Sequence, residues 1–157
     1  MNAGRLRYFY ECGTLALLFL CFNVYQMKLV KTILKWLFGI VFIAAGANHF
    51  LNAEFYLRIM PPAFPAHLFL VYLSGICEIA LGILLLIPKF TKLAAYGLIA
   101  LLLAVFPANI YMALNPQNFP EFSQNALYIR LPIQFLLIAL SYWFTRNAET
   151  RTKISVI

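Results

Sequence analysis

Four apolar runs, residues 33–51, 66–87, 93–114 and 126–145, are each close to the roughly 20 residues that a helix needs to cross a bilayer. In lipid every backbone polar group must be satisfied within its own element. Runs of this length therefore suit helices, not the roughly ten-residue strands of a membrane barrel. Composition points the same way, with 64% of the 157 residues hydrophobic and 11% charged. A soluble chain is about half apolar and about a quarter charged, and one domain of this length has too little core to hide the excess. Disorder and a multidomain enzyme are excluded on the same grounds. The expected fold is all-α, an integral membrane four-helix bundle.

The basic residues set the expected orientation. Lys28, Lys31 and Lys35 lead into the first run, Lys89 and Lys92 sit in the turn after the second, and Arg146, Arg151 and Lys153 follow the fourth. Such clusters belong on the cytoplasmic side. The other two connections, 52–65 and 115–125, carry Glu54 and Glu121 and only Arg58 as a basic residue. Both bundle termini are thus expected in the cytoplasm, with the two Pro-rich loops on the outer face. The net charge of +7 comes in these short clusters, not as the continuous basic face that a nucleic-acid binder needs. Cys12, Cys21 and Cys77 lie in apolar stretches at no metal-binding or C-x-x-C spacing, so neither a disulfide scaffold nor a metal site is expected.

Three segments are expected along the chain: an extension over 1–26, the transmembrane domain over 27–147, and a cytoplasmic tail over 148–157. Arg5 and Arg7 before the apolar 15–22 stretch resemble a signal peptide, yet no small-x-small cleavage site follows. Met27 is the alternative start.

Ionisable groups inside a span are expensive and point to function. Glu78 lies in the middle of the second run, with Ser74 and Gly82 one turn to either side on the same face. It should point into the bundle, either protonated or beside a cation, and the nearest candidate cation is Arg130 in the fourth run, with Gln134 one turn further on. Arg130 could instead pair with Glu54 or Glu121 and simply lock two hairpins together. Asn48 and His49 end the first run and Asn109 lies near the end of the third. Pro107 should kink that third helix and free the Leu103 carbonyl for Asn109, water or a ligand. Asn48, His49, Glu78, Asn109, Arg130 and Gln134 are therefore expected to share an intramembrane pocket, although each also has a plain packing role open to it. Haem ligation by His49 and His67 is disfavoured by the position of His67 among prolines. No nucleophile with a base and no phosphate-binding loop is visible.

Several blocks in order resemble the DoxX family of membrane proteins: Asn48-His-Phe50, Arg58-Ile-Met-Pro-Pro62, Tyr72-Leu-Ser-Gly75 with Glu78 and Leu81-Gly82, Leu86-Ile-Pro88, Ala94-Ala-Tyr-Gly97, Phe106 to Ala113, and Arg130-Leu-Pro-Ile-Gln134. The resemblance covers roughly residues 27–145. It implies a multi-pass protein of the bacterial inner membrane, associated with quinone-linked redox processes, and it carries Asn48, His49, Arg58, Glu78, Asn109 and Arg130 as motif positions without assigned roles. The expected function is a redox-associated accessory subunit, not a stand-alone enzyme, with an outward pocket for a quinone or similar small molecule. The alternatives are a small transporter subunit and a non-catalytic scaffold for a partner oxidoreductase. A redox enzyme and a second copy of the chain are the partners these readings imply, beside the lipid itself.

Overall fold

The computed structural model describes residues 3–146, with side chains from Gln26 onward. Five α-helices and one 3-10 turn, Pro116–Asn118, make up the described residues: α1 Ala3–Leu51, α2 Ala53–Ile59, α3 His67–Leu86, α4 Thr91–Leu114 and α5 Gln124–Thr145. The chain divides into two compact units, Met1–Leu34 and Lys35–Ile157. The expected tail over 148–157 lies outside the described residues, as do the side chains on which a signal-like reading of the N-terminal extension rests.

Four helices are long and apolar enough to cross a membrane: Gln26–Leu51, His67–Leu86, Thr91–Leu114 and Gln124–Thr145. Their outer faces are apolar too. Leu51, Leu114 and Phe69 stand 80%, 72% and 64% exposed, which in water would be an aggregation surface and in lipid is a solvated one. The protein is a multi-pass membrane protein by these dimensions.

Within the second unit the helices close a ring of neighbours. α3 packs on α4 and α4 on α5. α1 meets α3 through glycines, and meets α5 where Phe38 lies edge-on to Phe144 at 5.6 Å between ring centroids. The α1–α3 contact is the tightest. A Cβ built on Gly46 would sit 2.6 Å from the Gly75 carbonyl oxygen, and one on Gly82 would sit 2.9 Å from the Gly39 carbonyl oxygen. Gly39 and Gly46 are seven residues apart, as are Gly75 and Gly82, so the two antiparallel helices touch backbone to backbone twice along one seam. Lipid offers no hydrophobic force to hold helices together, and close packing of small residues supplies the contact instead.

The two ends of the bundle differ. At the short α3–α4 turn, Leu85, Ala94, Ala95 and Leu98 are fully buried. Thr91 donates its hydroxyl to the carbonyls of Leu85 and Ile87, each at 3.2 Å, which satisfies groups the end of α3 would leave open. At the opposite end, the connection over 52–65 contains a two-turn helix where only a loop was expected. Ala53–Ile59 is free of Pro and Gly, and Pro61-Pro62 stop the helix just after it. Ile59 of α2 joins Met112, Phe119 and Leu127 in a buried cluster that ties α2 to α4, the 3-10 turn and the start of α5. Ser123 caps α5 by accepting from the Ala126 amide.

Candidate functional site

Below the α2 cluster lies a cavity of about 520 Å³, walled by α1, α2, α3, α4 and α5. Its walls are mostly apolar, with Ile59, Met60, Leu70, Leu73 and Val105 among them, and it is lined as well by His49, Tyr56, Ser74, Cys77, Glu78, Asn109 and Arg130.

His49 is placed by the glycine seam. Its Cβ lies 2.8 Å from where a Cβ on Gly75 would be, so a glycine there lets His49 approach α3 this closely. Nδ1 lies 3.0 Å from the Val71 carbonyl oxygen. A carbonyl can only accept, so Nδ1 carries the hydrogen. Nε2 then faces Glu78 Oε1 at 3.5 Å. Side chains tilt toward the N-terminus of their own helix. Because α1 and α3 run antiparallel, His49 leans down as Glu78 leans up, and the two converge from different depths. On its other side His49 stacks on Tyr56, with centroids 3.7 Å apart.

This pairing corrects one expectation: the partner of Glu78 is His49, not Arg130. The same tilt explains it, since Arg130 sits in the second turn of α5 and leans toward the α2 end, away from Glu78. Its guanidinium comes within electrostatic reach of Tyr56. Neither Glu54 nor Glu121 takes it. Glu121 pairs instead with Arg58 at 3.0 Å on the exposed surface, and Arg58 takes no part in the cavity.

Two amide chains back the cavity. Gln134 donates through Nε2 to the Leu102 carbonyl and accepts through Oε1 from Asn109 Nδ2. The carbonyl fixes which way both amides face, leaving Asn109 Oδ1 as an acceptor at the wall. Helix α4 continues through Pro107, and Asn109 bonds Gln134 and not the Leu103 carbonyl. On the other side Asn52 donates to Asn48 Oδ1, and Asn48 donates to the Tyr56 hydroxyl at 3.0 Å. Asn48 and Gln134 are thus one layer behind the wall, while His49, Glu78, Asn109 and Arg130 are on it. His67 ties the loop by donating to the Pro61 carbonyl.

Ser74 Oγ and Glu78 Oε2 are buried and have no hydrogen-bond partner. Buried polar atoms are normally satisfied, and both of these residues line the cavity. Among the described residues no group of three His, Cys, Asp or Glu side chains is placed to hold a metal ion. Tyr56 is among the wall residues that sequence reasoning missed, because its position depends on a helix hidden in a loop. The His49–Glu78 pair was legible in principle, since the matched seven-residue spacing of the glycines sets the register between the first two spans.

A family model described as a domain of unknown function, DUF8561, matches residues 38–145. Comparison with curated proteins and with solved structures returns no match. The family match takes in every cavity-lining residue and more than half of the chain, and the protein therefore belongs to the DUF8561 family.

Proposed function

We propose that the protein binds a small amphipathic molecule in this cavity, a quinone or a similar carbonyl compound, as a redox-associated accessory subunit of the bacterial inner membrane. The observation that carries the reading is an apolar cavity of about 520 Å³ with a few convergent polar groups and two buried polar atoms lacking partners. Its size lies within the range of small-molecule sites, about 300–1,000 Å³. A quinone needs an apolar slot for its ring and donors for its carbonyls. Arg130 and Tyr56 offer donors at the α2 end, and the His49–Glu78 pair lies deeper in. The block-by-block resemblance to DoxX proteins supports the quinone class and the redox setting.

In this reading the α2 end faces outward. The opposite end carries Lys89, Lys92 and Arg146, and basic ends stay in the cytoplasm. Titration of a short-chain quinone into protein held in lipid nanodiscs tests the reading, with saturable binding at one site per chain expected. Absence of binding, together with no quinone retained through purification, would overturn it.

A further inference from the structure

The charged groups around the cavity are unevenly partnered, and that says what kind of head group the cavity takes. His49, Glu78 and Arg130 are among the side chains that line it. The Val71 carbonyl fixes a hydrogen on His49 Nδ1. His49 Nε2 lies 3.5 Å from Glu78 Oε1, so the carboxyl of Glu78 is turned to His49 and not to Arg130.

Arg130 is half-buried on the wall. Among the described residues no carboxylate lies within ion-pair distance of it, and Glu121 is held by Arg58. An uncompensated cation against an apolar wall is costly unless an anion meets it. Tyr56 adds a second donor beside it. The phenol oxygen already accepts from Asn48, which leaves its own hydrogen for another acceptor. One positive charge and two adjacent donors at one end, with an apolar chamber below, form a receptor for an oxygen anion on a hydrophobic body.

We propose that the ligand binds as a monoanion, its charged oxygen on Arg130 and Tyr56 and its apolar part in the chamber toward α3. An ionised hydroxyquinone and a medium-chain carboxylate share this chemistry. The inference rests on the cavity being a ligand site, and it deepens that reading by naming the charge of what is bound.

The test uses the full chain in neutral-lipid nanodiscs and four probes: hydroxynaphthoquinone, which is an anion at neutral pH, its neutral methoxy ether, and decanoate with decanol as its neutral match. Each anion should bind about tenfold or more tightly than its neutral counterpart, and Arg130→Gln should abolish that preference by weakening the anions far more than their neutral matches. Equal binding of methoxy and hydroxy compounds would overturn the inference while leaving the quinone reading intact. Binding of decanoate without either naphthoquinone would uphold the monoanion and overturn the quinone. Binding of no probe would overturn both. The comparison within the unaltered protein decides the matter even if the Arg130 variant fails to fold.

Discussion

His49 is fixed from three directions, by the Val71 carbonyl, by Glu78 and by the Tyr56 ring, and that makes its partner the residue whose replacement is most informative. A glutamine at position 78 can donate an N–H to His49 Nε2, whereas an alanine leaves a buried ring nitrogen with nothing. Glu78→Gln should therefore purify as a monodisperse protein with nearly the original melting temperature in detergent, and Glu78→Ala should lose about 1–3 kcal/mol. The ion pair between Arg58 and Glu121 is exposed on both sides, at 55% and 38%. Pairs of that kind contribute about 0–1 kcal/mol, and Arg58→Ala should leave thermal stability almost unmoved. Both comparisons are read by melting curves on the same detergent preparation.

At the scale of elements, the seam between α1 and α3 carries the geometry of the site. Gly46 faces backbone, the Gly75 carbonyl oxygen, whereas a Cβ on Gly97 would meet the far end of the Leu81 side chain. A flexible side chain can turn aside and a backbone cannot. Gly46→Ala should thus cost about 1–3 kcal/mol and impair ligand binding through the displaced His49, while Gly97→Ala should change stability by less than about 1 kcal/mol. Melting curves and a binding titration on the two variants check this. The spans themselves were legible in the sequence: the apolar runs over 66–87 and 126–145 became His67–Leu86 and Gln124–Thr145, since length and hydropathy are local properties. Which charged residues meet was not legible from depth alone. It depends on helix register and on the direction in which side chains lean, and these sent Glu78 to His49 and Arg130 toward Tyr56. Helix α2 escaped because its seven residues lie between Asn52 and a Pro-Pro pair, in a stretch whose punctuation reads as loop.

For the whole molecule, the asymmetry between its two ends predicts its topology. A single cysteine placed at Asn118, beside the 3-10 turn, should react with a membrane-impermeant maleimide on intact cells in a background lacking the native cysteines. One placed at Lys89 should react only after permeabilisation. The reverse pattern would turn the cavity toward the cytoplasm. The same asymmetry makes one end closed and packed, around Leu85 and Leu98, and the other hollow, around His49 and Arg130. That a bundle of this size keeps a chamber of about 520 Å³ lined by a His–Glu pair and by an arginine without a carboxylate partner among the described residues is the central structural fact. Its most direct test is native mass spectrometry of the full protein extracted from its own membrane in mild detergent. A stoichiometric small molecule that stays on the unaltered chain and is lost from Arg130→Gln is the expected result. A chain that emerges empty, and that takes up none of the quinone or anionic probes when they are added back, would contradict it.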